Sequence, residues 1–257
     1  FKRFKILSFA IYSSSNSIRR EIDVCSFLKE NLFNMCGISG YISRDGVPAK
    51  DAQWFLKLMS DALVSRGPDS SGVWCSEDYR VGLAHRRLAI LDLSPAGCQP
   101  MVSHNGRYVI SFNGEIYNHQ ELRKILGCTT NEIIWRGCSD TEVLLMGIEI
   151  WGLEETLHRI VGMFSFALWD RAERVMYLAR DRVGEKPLYY GYQQGFLIFG
   201  SELKALRAHP FFAGEIDRNA IMLQLRHSYI PAPFTIYKGI KKLPAGTFLR
   251  LPVLEGQ

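Results

Sequence analysis

The sequence contains no Cys-x-x-Cys pair, no Gly-Gly dipeptide, no internal repeat and no low-complexity tract. No apolar run approaches the ~20 residues that a bilayer span needs. Each absence excludes something. Without paired cysteine spacing, a zinc knuckle or thioredoxin-like centre is not expected. The six cysteines, Cys25, Cys36, Cys75, Cys98, Cys128 and Cys138, are scattered over 257 residues. That usage fits free thiols in a reducing compartment, each by default a small buried hydrophobe. The surplus of one charge sign is also small: 31 Lys/Arg face 26 Asp/Glu. Residues 1–35 hold much of the basic surplus, so no polyanion-binding surface for nucleic acid is indicated on the body.

What is present suits a globular chain. The residues are 47% hydrophobic and 22% charged, enough core material for one large or two small domains. After Met35, strand candidates are "GISGYIS", "RVGLAHRRLAILDL", "RYVISFN", "GMFSFALWD", "RVMYLARD", "PLYYGYQQG" and "FLIFGSE". Helix candidates are "AQWFLKLMSDALVSR", "HQELRKIL", "DTEVLLMGIEIWGLEETLHRI", "SELKALRAH" and "RNAIMLQLRHSY". In the first helix, Trp54, Leu58, Met59, Ala62 and Leu63 share a face. The strands between residues 162 and 200 follow one another without a helix, so neighbours should pair antiparallel. The pattern is α+β, with helices on largely antiparallel sheets. The Pro- and Gly-punctuated stretch 231–257 reads as extended chain leaving the domain.

Several clusters have a structural and a chemical reading. Asn113-Gly114 in "FNGEIYN" is a favoured hairpin pair. The same turn, at a strand end, could aim the Asn113 amide and the Gly114 N–H at one point as an oxyanion hole. "SDTE", residues 139–142, is a capping box. It puts Asp140 in the first turn, where the helix dipole favours an anion and a ligand ammonium could bind. Arginine in "AHRRLAI" is solvated strand decoration or a carboxylate clamp. "RGPDSSG" is a turn by composition. Met35-Cys36-Gly37 has the form of a protein's opening, yet 34 residues precede it. Residues 1–35 are read as an upstream extension, either a propeptide or a mis-assigned start. A secretory signal is disfavoured by the short apolar part and the poor cleavage site.

Together, "MCGISGYI", "RGPDSSG", "AHRRLAILDLSPAGCQPM", "FNGEIYNHQELR", "SDTEVLL", "GMFSFALWD", "ARDRVGEKPLYYG" and "FGSELKAL" resemble the glutaminase domain of the glutamine-hydrolysing asparagine synthetase family. They cover about residues 36–250, in the family's order. The resemblance implies a class II glutamine amidotransferase with the N-terminal-nucleophile fold, a four-layer α-β-β-α sandwich of two mostly antiparallel sheets. It implies an amidotransferase domain over 36–230, then a lead at 231–257 to a missing ATP-dependent synthetase domain. It implies that Cys36, once Met35 is removed, is the nucleophile and that its free α-amine is the base. Asn113 and Gly114 would stabilise the oxyanion. Arg87 would hold the glutamine carboxylate with the Ile90 backbone nearby, and Asp140 and Glu115 the α-amino end. Arg66 and Asp69 would support the loop.

No metal or cofactor is expected in this chain; ATP and Mg²⁺ are expected in the synthetase domain, which would convert aspartate to asparagine. The expected partners are L-glutamine and that domain, with no nucleic acid or membrane, a cytoplasmic location, and a homodimer open for the full-length enzyme. Two other readings stand beside this one. One is a related amidotransferase that amidates a sugar acid for surface polysaccharide. The other is a non-catalytic binding domain with a tail-blocked pocket.

Overall fold

Strands form where β-branched and aromatic residues alternate between two environments, and here each sheet is covered on both faces. A computed structural model describes residues 35–89, 94–129 and 133–253. These fall in one compact unit spanning residues 33–257. Among the described residues the strands, numbered along the chain, make two sheets. The first holds β1 (Gly37–Ser43), β2 (Ser70–Cys75), β3 (Val81–Arg87), β8 (Tyr189–Gln193), β9 (Phe196–Gly200) and β10 (Ile240–Lys242). Its order is β10-β8-β9-β1-β3-β2. The second holds β4 (Met101–Val102), β5 (Tyr108–Ile116), β6 (Gly162–Asp170), β7 (Val175–Arg180) and β11 (Phe248–Pro252), in the order β11-β7-β6-β5-β4. Every pairing between these strands is antiparallel.

Three apolar layers hold four layers of structure together. Helices α1 (Ala49–Asp61) and α5 (Leu203–Arg207) cover the first sheet, packing Phe55, Leu56, Met59 and Leu206 on Tyr41 and Ile198. Between the sheets, Ile38, Val81 and Leu83 meet Val109, Ala167, Trp169, Met176 and Leu178. Helices α2 (His119–Thr129) and α3 (Asp140–Trp151) cover the second sheet, setting Leu122, Leu126 and Leu144 on Ile110, Phe112 and Phe166. Each such side chain contributes roughly 1.5–3 kcal/mol on burial. Short α4 (Leu153–Arg159) and α6 (Arg218–His227) complete the set. This is the α-β-β-α sandwich expected from the sequence.

Four local expectations change. The buried face of α1 is Ala52, Phe55, Leu56, Met59 and Ser60, continued by Leu63, while Trp54 is 51% exposed. The buried face is thus rotated from the expected one, because Phe55 reaches the aromatic cluster of Tyr41, Phe196 and His209. The long helix expected from Asp140 breaks into α3 and α4 at Gly152, whose φ of 81° is left-handed and favours glycine. "RGPDSSG" is only partly a turn; it runs into β2 at Ser70. Finally, the stretch expected to leave the domain instead supplies an edge strand to each sheet. Ile240–Lys242 pairs with β8 and Phe248–Pro252 with β7. Of residues 1–35, only Met35 lies within the described residues.

Candidate active site at one end of the inter-sheet layer

Strand parity explains where the chemistry collects. Along β3, Val81 and Leu83 point between the sheets; His85 and Arg87 follow at the same period of two. Along β5 the same face reads Val109, Ser111, Asn113. Along β1 it reads Ile38 and, one step before the strand, Cys36. Register puts Gly37 opposite Arg86, so Cys36 and Arg87 lie side by side at one end of the layer. The other sheet is tied on by two bonds: Ser111 Oγ donates to Ala84 O at 3.0 Å, and His85 Nε2 lies 3.0 Å from Phe112 O. A carbonyl only accepts, so Nε2 carries the proton. Burial lowers the His85 pKa to about 4, so the ring stays neutral.

Asn113-Gly114 is not a hairpin turn. Both residues sit inside β5, opposite Ser165 and Phe164 of β6. A Cβ on Gly114 would lie 2.2 Å from Met163 O and 2.7 Å from Phe164 Cα, so glycine is required by close approach of the neighbouring strand. The other edge of β5 is open, because β4 spans only Met101–Val102. On that edge Phe112 N donates to Gln99 Oε1 at 2.6 Å and Ile116 N to Asp140 Oδ2 at 2.9 Å. Gly114 lies between them at the same parity, so its N–H faces the same edge. Asn113 is 1% exposed, and its Nδ2 has no hydrogen-bond partner among the described residues. A buried amide donor left unpaired costs about 1–3 kcal/mol, which a ligand acceptor would recover.

Cys36 is held by its backbone and approached by charge. Its Sγ accepts from Leu88 N at 3.4 Å and lies 3.6 Å from Leu88 O. Its carbonyl accepts from Arg66 Nε at 3.1 Å; Arg66 Nη1 pairs with Glu202 at 2.9 Å, and Arg66 O accepts from Met35 N at 2.9 Å. Asp69 fixes the segment carrying Leu88: its N donates to Arg87 O at 3.1 Å and its Oδ2 accepts from Ala89 N at 2.8 Å. Burial pushes the Cys36 thiol up; the Leu88 backbone, Arg87 and Arg66 oppose this, and Asp140 adds to it. The result is a protonated thiol at neutral pH, which needs a base beside it to attack.

Arg87 is 8% exposed and donates to Ser94 O at 3.1 Å and to Cys98 Sγ at 3.6 Å. Asp140 is 6% exposed, at the N-terminus of α3. Burial raises its pKa, offset by the Ile116 N–H and His119. Glu115 is close enough to act on it electrostatically. Only half of the expected capping box is made: Ser139 Oγ accepts from Glu142 N at 3.3 Å. The Glu142 carboxylate turns instead to the N–H groups of Arg136 and Gly137 and to His104.

The structure thus gathers Cys36, Arg66, Asp69, Arg87, Asn113, Gly114, Glu115 and Asp140 around one end of the layer; Ile90 lies outside the described residues. Reading the sequence gave no role to Gln99, His85, Leu88 or Glu202. Gln99 spans Phe112 N and Thr141 Oγ1, the latter at 3.2 Å, and nothing in "GCQPM" signals that. Among the described residues, no group of three or more His, Cys, Asp or Glu is placed to hold a metal ion. Five cysteines in them are free thiols, and no helix among the described residues is long and apolar enough to cross a membrane.

A half-buried cysteine at the head of a strand, between two antiparallel sheets clad in helices, defines the N-terminal-nucleophile amidotransferase class of fold. Among solved structures, glutamine phosphoribosylpyrophosphate amidotransferase from B. subtilis matches with a TM-score of 0.56 at 19% identity, over 71% of this chain and 45% of that one. The chain belongs to the glutamine amidotransferase domain family, whose family profile matches residues 35–255. That match takes in the two edge strands of the 231–253 stretch. Asparagine synthetase [glutamine-hydrolyzing] 3 of Bacillus subtilis is 38% identical over 81% of this chain and 33% of its own length. Amidase chry2 of Gibberella zeae is 34% identical over 84% of this chain and 32% of its own length. The chain spans about a third of the length of these curated relatives.

Proposed function

We propose that this domain hydrolyses L-glutamine to glutamate and ammonia through a thioester on Cys36, and that it serves a glutamine-hydrolysing asparagine synthetase. The observation that carries the reading is the buried Asn113 Nδ2, unpartnered among the described residues, on the inter-sheet face at the end of the layer where Arg87 and Asp140 act on Cys36. Glutamine brings a carboxylate and an ammonium at one end and an amide at the other. Arg87 takes the carboxylate with charge-assisted bonds. Asp140, with Glu115, takes the ammonium, and that bound cation restores ionisation to a carboxyl that burial disfavours. The side-chain amide then lies at Cys36.

With Met35 removed, the α-amine of Cys36 is free. It accepts the thiol proton as sulfur bonds to the amide carbon; an α-amine ordinarily titrates near ~8, which suits general base work at neutral pH. Asn113 Nδ2 and Gly114 N–H stabilise the tetrahedral oxyanion. The protonated amine returns the proton to the departing nitrogen, the C–N bond breaks, and ammonia leaves. Water hydrolyses the thioester and restores the thiol.

The acceptor of the ammonia is chosen outside this domain. ATP and Mg²⁺ are assigned to the remaining length of the synthetase relatives, where aspartate would be activated. The test is glutamate release by protein beginning at Cys36, with mass spectrometry of the quenched reaction. A glutamyl adduct on the peptide carrying Cys36 is the expected result; turnover without any adduct on that peptide overturns the thioester.

A further inference from the structure

Lys186 is buried, at 5% exposed, and forms no salt bridge among the described residues. Burying an ammonium without a carboxylate is costly, so its position needs a reason. The loop from β7 to β8 builds that position. Asp181 collects the N–H groups of Val183, Gly184 and Glu185 on one oxygen and those of Phe164 and Lys186 on the other. Arg180 closes the loop through the carbonyls of Lys186, Gly184 and Leu243. From this scaffold the Lys186 ammonium reaches Met35 and sits 2.9 Å from its Sδ. A thioether is a weak acceptor. A buried cation is thus aimed at the residue whose removal the mechanism requires, immediately before the nucleophile.

We propose that Lys186 is a positioning residue for Cys36: once Met35 is gone, its ammonium stands beside the new N-terminus and keeps the α-amine in its neutral, proton-accepting form. This rests on the glutaminase reading above. The fixed charge disfavours a second positive charge on the α-amine and favours the thiolate, so both members of the nucleophile–base pair are biased toward reaction. Other charged groups face the same point. Arg66 comes from the loop after α1 and is paired with Glu202. Arg87 comes from β3 and Asp140 from α3, and both act on Cys36. On the loop of Lys186 itself, Glu185 and Asp181 act on the ammonium, which also feels Arg66 and Cys36. Tyr189 of β8 senses Arg66 and Glu202. Arg87 and Asp140 are engaged by substrate and Arg66 by Glu202, which leaves Lys186 as the charge directed at the α-amine.

The experiment is the pH profile of kcat/KM for glutamine hydrolysis by the full chain, processed so that intact mass shows Cys36 first. Lys186→Met and Lys186→Gln should move the acidic limb up by about one pH unit, the ordinary effect of one nearby charge. Activity would then fall roughly tenfold at pH 6.5 and converge with wild type near pH 9. Lys186→Arg should restore the wild-type limb. The rate of Cys36 alkylation by iodoacetamide against pH gives a readout that needs no turnover, and its midpoint should rise in the Met and Gln variants. An unmoved limb and an unmoved alkylation midpoint in those variants, with wild-type turnover intact, overturn the inference and leave the glutaminase reading standing. An Arg variant as impaired as the Met variant also overturns it, because Lys186 would then be exchanging the proton itself. Absence of glutamine turnover in the processed wild type overturns the glutaminase reading, and the inference with it.

Discussion

The layer between the two sheets has two ends made from the same strands. Toward one end β3 places Val81 and Leu83 and β5 places Val109, packed on Trp169, Met176 and Leu178. Toward the other, the same faces place His85, Arg87, Ser111 and Asn113. The apolar end is satisfied internally. The polar end is held by specific bonds, Ser111 to Ala84 and His85 to Phe112, yet leaves Asn113 Nδ2 without a partner among the described residues. One end therefore carries the stability of the sandwich, and the other keeps polar groups short of partners that a ligand can supply. A two-residue period lets one strand do both: four residues along, the same face passes from packing to chemistry.

Substitutions at the two ends should separate turnover from folding. Cys36→Ala has the largest expected effect, loss of glutamine turnover by more than about a thousandfold with melting temperature near wild type, since it removes the proposed nucleophile. Asn113→Ala should lower kcat by roughly a hundredfold or more while KM changes little, the usual cost of one oxyanion donor. Steady-state kinetics on the same preparations check both.

Asp140→Asn should raise KM about ten- to a hundredfold, as expected for losing a charge-assisted bond worth about 1.5–3 kcal/mol. It should also show the sign of a strained site. Burial holds the Asp140 carboxyl above its ordinary value of 3.8, so the folded state binds that proton more tightly than the unfolded chain. Its ionised form costs stability, in full above the raised pKa and not at all below the ordinary value. The variant should therefore melt higher than wild type at pH 7.5, with the gain fading as the pH falls toward 4. Thermal melts at the two pH values check it. At the apolar end, Leu83→Ala should cost about 2–5 kcal/mol by denaturant unfolding, with glutamine KM unchanged in the folded fraction.

The sequence made the periodic parts legible. Short apolar, β-branched and aromatic runs marked β1, β5, β6, β7 and β9, and the unbroken strand run from 162 to 200 implied antiparallel pairing. The sequence left the arginines of "AHRRLAI" open between solvated decoration and a clamp; the strand parity that sets Arg87 on the face of Leu83 decides it. Signals that depend on a neighbouring strand were not legible. Asn113-Gly114 has the composition of a turn, yet glycine stands there because Met163 O of β6 leaves no room for a Cβ. The 231–253 stretch has the Pro and Gly of a linker, yet both its short strands find a sheet edge to pair with. Gln99, Glu202 and Lys186 act through partners 13 to 151 residues away in sequence, and no local spacing announces a contact of that range.

The central claim is that Cys36 works as an N-terminal nucleophile whose own α-amine is the base. The measurement that tests it most directly compares initial glutamate release at saturating glutamine by two proteins. One is processed to begin at Cys36; the other keeps an uncleavable extension before it. A peptide nitrogen has no basic lone pair, so the extended form should be slower by at least ~100-fold, the usual worth of general base catalysis. Equal rates from the two proteins would contradict the claim.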